Sequence, residues 1–343
     1  MTRHELAIAR TVIYAGLFDY PLTLDQLHQS LIESNLTPSE ILSLYEHSDA
    51  LQHIVDYRDG FFFPAGRAGL VAERRRREGR SRAFLERHRF ALGLVSAIPF
   101  TKLVALSGSV AHMNLEPDGD LDLFIITRGA RVWTVTLAVL LLTKLLRCRR
   151  VICANFVIAD SHLTLDQEDL FTANQVIHLK PLVGAEALAQ FAAANPFVKR
   201  FYPNAGLKPC ATSAAATASV VAPSPVAATS RVDAASPAAA TATGAQRFRA
   251  ARLKAFAEVV LAIPSPLIEA ACRSLYGWHL RRRASSWRSP EQVSLQSDYL
   301  KLHTKSHRHF ILDRFDRAVA DAMREVEQVM HDTPARIRSA GRR

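Results

Sequence analysis

The chain has 343 residues, 49% of them hydrophobic, and a formal net charge of +11. That length accommodates two or three domains, and that apolar content excludes a wholly disordered chain. Four scattered cysteines (Cys148, Cys153, Cys210, Cys272), with no C-x-x-C pair, exclude a disulfide framework and point to a reducing cytoplasm, while the positive charge points to an anionic partner such as a nucleotide, a nucleic acid or an acidic lipid.

The N-terminus carries Arg3 and Glu5 and no long apolar run, so no signal peptide is expected. Residues 5–16 have helical apolar spacing and end at Phe18-Asp-Tyr-Pro21. Thr23-Leu-Asp-Gln26 and Thr37-Pro38-Ser39-Glu40 are capping boxes, opening a second helix through Ile32 and a third to about Tyr45. Arg58-Asp59-Gly60, between Ile54–Tyr57 and Phe61–Phe63, predicts a hairpin. Three helices and a hairpin resemble a winged helix-turn-helix domain, expected over 1–70. The third helix has Glu40 and Glu46 and no Lys or Arg to meet phosphates, so specific DNA binding is disfavoured against protein docking or substrate positioning. Residues 71–94 read as a linker helix whose many arginines (Arg74–Arg77, Arg80, Arg82, Arg87, Arg89) form a solvated face, with a border to an anion cleft as the sharper alternative.

The most informative stretch is Leu103–Thr127. Leu103–Leu106 predicts a buried strand, Ser107-Gly108-Ser109 a turn into a short helix from Val110, Pro117-Asp118-Gly119 a second turn, and Asp120–Thr127 the next strand. Strand alternation puts Asp120 and Asp122 on one face, their Cα atoms roughly 6.5–7 Å apart. Aspartate is a poor strand residue, and two like charges on one face of a strand call for a cation. Mg²⁺, held by one or two carboxylates plus substrate phosphates, is the usual answer. Gly108 lets a phosphate approach the backbone closely, N–H groups at a helix start favour an anion, and Ser109 adds a hydroxyl donor.

Gly108-Ser109, a spacer, and Asp120-Leu121-Asp122-Leu123 resemble the signature of the polymerase-β-like nucleotidyltransferase superfamily. The resemblance covers about fifteen residues. It implies an α+β nucleotidyltransferase fold, a short mixed sheet with flanking helices, over 95–204. It also implies Mg²⁺ or Mn²⁺ at Asp120 and Asp122, the triphosphate at Gly108 and Ser109 with Ser107 beside them, and transfer of a nucleotidyl group from an NTP with release of pyrophosphate. The acceptor stays open: a small molecule, an RNA end, a sugar phosphate or a protein. Active members usually carry a third carboxylate on a later strand. Here the strand at Val151–Ala159 offers Asn155 on its inward face, and Asp160 falls one place out of phase. That departure keeps two alternatives in view: a catalytically weak or inactive nucleotide sensor, and a winged-helix DNA-binding regulator.

The remaining chain adds context. Val132–Leu146 is apolar for about fifteen residues, short of the ~20 that span a bilayer, and reads as a helix packed on the sheet, so no transmembrane segment is expected. Helices are expected around Asp169–His178 and Ala185–Ala194, and Lys180 reads as a surface residue with phosphate contact as the minor alternative. Residues 205–246 are Ala, Thr, Ser, Pro and Val with few charges and read as a disordered linker. Residues 247–343 are expected to be helical, with Trp278 and Trp287 in a core and the neighbouring Arg281–Arg283 solvated, against the alternatives of base stacking or a membrane surface. His303 and His307, one helical turn apart with His309 nearby, lack an acid or Cys partner and read as no metal site.

Overall fold

The computed structural model describes residues 1–206, 252–282, 293–302 and 308–332. The N-terminal unit forms as its capping boxes require. Helix α1 (Arg3–Gly16) is capped by Thr2 with Glu5, α2 (Leu24–Gln29) by Thr23 with Gln26, and α3 (Pro38–His47) by Thr37 with Glu40. An additional short helix, α4 (Asp49–Ile54), is capped by Ser48 and leads into the hairpin β2 (Val55–Arg58) and β3 (Phe61–Pro64). The two-residue strand β1 (Leu22–Thr23) completes a three-stranded antiparallel sheet in the order β1-β3-β2. Asp59 and Gly60 both take positive φ at the hairpin tip, as an Asp-Gly turn of this kind demands.

Helix α5 (Gly69–Ser96) comes next, and its arginines differ from expectation. Arg74 and Arg77 are buried rather than solvated. Arg74 donates to the Pro21 carbonyl, pairs with Glu78 at 3.0 Å and lies 4.0 Å over the Tyr20 ring. Arg77 pairs with Glu73 at 3.0 Å and reaches the Phe18 carbonyl and Asn114 Oδ1, and Arg80 donates to the Leu115 carbonyl at 2.8 Å. Buried guanidinium groups need this number of acceptors. The helix is therefore a strut between the N-terminal unit and the Asn114–Leu115 segment.

The main sheet contains β4 (Thr101–Ser107), β5 (Leu121–Thr127), β6 (Ile152–Ala159), β7 (Lys180–Val183), β8 (Val293–Leu295) and β9 (Tyr299–Leu302), in the order β7-β4-β5-β6-β9-β8. Only β5 and β6 pair in parallel. Between β4 and β5 lies the one-turn α6 (Gly108–Ala111), and between β5 and β6 the expected apolar helix, α7 (Val132–Leu145). Next come α8 (Leu170–Ile177), α9 (Ala185–Ala193) and α10 (Phe197–Phe201). The protein is thus α+β, with a mixed sheet and flanking helices.

The chain after the 207–251 segment is not purely helical. Helices α11 (Arg252–Ala262) and α12 (Ser265–Arg282) are followed by the hairpin β8–β9, which joins the main sheet through β6, and then by α13 (Arg308–Asp332). The expected linker lies, from residue 207 on, outside the described residues, as do Trp287, His303 and His307. Trp278, expected in a core, is 53% exposed.

The strands bury both faces, so they read as nearly continuous apolar runs. Leu103, Ala105, Phe124, Ile126 and Ile158 face α8 to α10, α13 and the N-terminal unit. Val104, Leu106, Leu121, Leu123, Ile125 and Val157 face α5, α7 and α12. Each fully buried Leu, Ile or Phe contributes about 1.5–3 kcal/mol. This two-sided burial holds the ends of β4 and β5 in fixed positions.

Candidate functional site

The site is built where β4 ends and β5 begins. Ser107, in extended conformation, pairs across the ladder with Asp122, and the chain then turns at Gly108 with φ +65°. Glycine is required there on two counts. The left-handed conformation disfavours a side chain, and a Cβ on Gly108 would lie 2.7 Å from Asp122 Oδ2. The carboxylate therefore rests against the Gly108 backbone. Ser107 supplies no side-chain cap to the N–H groups that open α6, and such groups have no partner inside a helix.

Asp120 is not in the strand. The ladder begins with the Leu121 N–H donating to the Val151 carbonyl at 2.7 Å, which leaves Asp120 exposed at its mouth. Asp122 is half-buried on the face shared with Phe124 and Ile126. Burial first, and then the charge of Asp120, push the Asp122 carboxyl up to about 7, against the lowering effect of its hydrogen bond with Asn155. Cys153, in register with Asp122, is pushed up by burial and by the same two acids. Among the described residues neither Asp120 nor Asp122 has an ion-pair partner.

Asn155 arrives by a β-bulge. Leu123 pairs with Ala154 and Phe124 with Phe156, so Asn155 is the unpaired extra residue. Its Nδ2 donates to Asp122 Oδ1. Asp160 is excluded as the missing third acid by position rather than by phase. It lies five residues along, roughly 16 Å away, where it accepts from the Gly129 N–H at 2.8 Å and pairs with Lys102 at 3.3 Å.

Ser107, Gly108, Ser109, Asp122 and Asn155 form one end of a cavity of about 570 Å³ between the sheet, α1, α8 and α13. Asp120 does not line it. The rest of the wall is mostly apolar and aromatic, including Phe18, Phe156, Phe171, Phe191 and Tyr299. Several polar residues of the wall carried no sequence signal. His112 and His178 stack with ring centroids 4.0 Å apart, and His178 Nδ1 donates to the Asn174 carbonyl at 2.8 Å. Burial holds both rings neutral, pushing His178 down to about 4 and His112 well below its usual value, so the Nε2 of His178 is an acceptor. Tyr14 brings a buried hydroxyl with no hydrogen-bond partner among the described residues. Asp166 is the further acid in the wall. Lys301, 3.1 Å from Gln167, and Arg308, paired with Asp169, come from the far end of the chain. Lys180 is half-buried on β7, its ammonium pushed down by burial and by Arg74, and is absent from the wall.

No family model, curated protein or solved structure matches the chain.

Proposed function

We propose that the protein is a Mg²⁺-dependent nucleotidyltransferase, its residues 95–204 a nucleotidyltransferase fold of the polymerase-β-like kind and its N-terminal unit winged-helix-like. The reading rests above all on one observation: the Asp122 carboxylate packed against a left-handed Gly108, beside Ser109, with a second acid at the strand mouth and, among the described residues, no Lys or Arg ion-paired to either acid. Among the described residues no group of three His, Cys, Asp or Glu side chains is placed to hold a metal. Two carboxylates and an amide oxygen suit an ion that takes its remaining ligands from phosphates and water. Asp120 and Asp122 would hold it. When bound, such an ion supplies charge neutralisation at the α-phosphate.

The chain's own groups do the positioning. Asn155 fixes Oδ1 of Asp122 and leaves Oδ2 against Gly108. The N–H groups opening α6 and the Ser109 hydroxyl are placed to donate to phosphate oxygens. An acceptor hydroxyl oxygen would attack the α-phosphorus, its proton passing to solvent as the new P–O bond forms and the bond to the leaving pyrophosphate breaks, with most of the barrier lowered by alignment and electrostatics. A cavity of this size with aromatic walls suits a small molecule.

A second reading, a nucleotide sensor without turnover, is favoured by Asn155 donating to Asp122 where active relatives of this fold would place an acid. One assay separates the two. Purified protein is incubated with each α-labelled NTP, Mg²⁺ or Mn²⁺, and cell extract as acceptor pool. Label transfer or pyrophosphate release that is lost in Asp120→Asn with Asp122→Asn is the expected result. Metal-dependent nucleotide binding without release is the sensor's signature, and neither binding nor release removes both readings.

A further inference from the structure

Helices α11 and α12 meet at Ile263–Pro264 with a bend of 85°. Leu261, Cys272, Tyr276 and Leu280 pack on the core, as the inward stripe of a surface helix does, but the opposite face is not polar and some polar residues are turned inward. Lys254 Nζ donates to the carbonyls of Ser96 at 3.1 Å and Thr101 at 2.7 Å. Glu258 accepts from the Phe100 N–H at 2.8 Å and pairs with Arg128 at 3.4 Å. Glu269, 9% exposed, accepts from the N–H groups of Trp133 and Thr134 at 2.9 and 2.8 Å.

Most of the remaining large apolar residues point out. Leu253, Phe256, Val259, Val260, Ile263, Leu267 and Leu275 are exposed, Ile263 at the apex by 90%. Single exposed apolar side chains are ordinary, but seven on two joined helices and their corner are a patch that calls for cover. The exposed charges of the pair are all positive: Arg252, Arg273, Arg281 and Arg282, with Arg282 3.9 Å over the exposed Trp278 ring. Both acids of the pair are the inward ones, Glu258 and Glu269. Helix α7, against which α12 packs, ends in exposed Leu141 and Leu145 followed by exposed Arg147 and Arg150.

We infer that this face docks on the surface of an anionic lipid bilayer. The combination of outward aliphatic side chains, a tryptophan and arginines without acids is what an interfacial helix presents to lipid. A second copy of the chain is the poorer occupant, because it brings arginine against arginine with no exposed acid on either helix pair to answer it. Crossing the bilayer is also poorly served. No single described helix is long and apolar enough, and insertion of the pair would break the bonds of Lys254, Glu258 and Glu269 to the body. The helix pair lies in the headgroup region while the domain stays in water. This inference is independent of the proposed nucleotidyl transfer.

The test is flotation of the full-length protein with vesicles of phosphatidylcholine alone or with roughly a third phosphatidylserine. Expected is co-flotation with the anionic vesicles, reduced about tenfold or more by Arg281→Gln with Arg282→Gln, and likewise by Ile263→Glu with Leu267→Glu. All four positions are exposed, and an unchanged thermal melt checks that the variants fold. No flotation, equal flotation with neutral vesicles, or undiminished binding by Ile263→Glu with Leu267→Glu overturns the inference. So does a concentration-dependent dimer that this variant dissolves while neither protein binds vesicles.

Discussion

At the residue scale the tension lies in Asp122, a half-buried carboxylate with no cation beside it. Its pKa rises from the ordinary range to about 7, so between about pH 4 and 7 the folded state holds a proton that the unfolded chain has released. The stability this confers at low pH is lost as pH rises through 7, leaving the ionised form disfavoured by the order of 2–4 kcal/mol. Asp122→Asn keeps an acceptor for Asn155 and removes the charge. The variant is expected to be more stable than the parent in urea melts at pH 8, with the advantage shrinking toward zero by about pH 4–5, and to be inactive in nucleotidyl transfer. A variant less stable than the parent at pH 8 refutes this account. Tyr14 makes a second, separable prediction. Its hydroxyl is buried in the cavity wall without a partner among the described residues, a cost of about 1–3 kcal/mol. Tyr14→Phe should leave thermal stability equal or higher while weakening whatever polar ligand fills the cavity, read by isothermal titration with each NTP; a clear loss of stability would mean the hydroxyl is satisfied.

At the scale of elements, the parts legible in sequence were those with local causes. Thr23 and Thr37 announced their helices because a capping box is a four-residue interaction, and the Arg58-Asp59-Gly60 hairpin followed from φ constraints alone. That Gly108, Ser109 and Asp122 come together where β4 ends and β5 begins was legible because strand alternation and turn chemistry act over a few residues. What escaped has distant causes. The bulge that releases Asn155 depends on two strands pairing out of step, and β8 and β9 are stable only because β6 offers an edge. Helix α11 spaces Leu253, Phe256, Val259 and Val260 like one face of an amphipathic helix, yet these are exposed while Lys254 and Glu258 find partners on the body. Glu269 shows the same long reach: from α12 it accepts both N–H groups at the start of α7, a helix without a side-chain cap of its own. Glu269→Ala removes a charged acceptor at the positive end of a helix and leaves buried donors behind. A loss of about 2–3 kcal/mol is expected in chemical denaturation, and a change within experimental error would show that α7 needs no such cap.

On the scale of the whole molecule, the arginines of α5 change meaning. In sequence they form an undivided basic run, and a solvated face is the economical reading. In three dimensions Arg74 and Arg77 face opposite to Arg75 and Arg76, and they bind carbonyls that only the folded N-terminal unit and the α6–β5 connection present. The N-terminal unit in turn supplies the α1 wall of the cavity, so its attachment governs the cavity's shape. Arg74 is the tightest point of that attachment. It is 3% exposed, and its guanidinium serves the Pro21 carbonyl, Glu78 and the Tyr20 ring together. Arg74→Ala leaves the Pro21 carbonyl without its donor and Glu78, among the described residues, with only Arg82, 3.8 Å away, and losing a charged hydrogen-bond donor in this way costs about 2–3 kcal/mol. The loss should not be uniform, because the hydrogen bonds of Arg74 run to Pro21 and Glu78, outside the main sheet. Limited proteolysis of the variant is expected to cut first between residues 17 and 68, with the sheet protected until later. Nucleotide affinity should fall as the α1 wall loosens, even though Arg74 is no part of that wall. Lysine in its place keeps the charge but not the fork that serves three partners, so Arg74→Lys should recover only a minority of the lost stability. Cleavage that begins in the sheet, or an Arg74→Ala variant with parental affinity, would show that the N-terminal unit and the cavity are energetically independent.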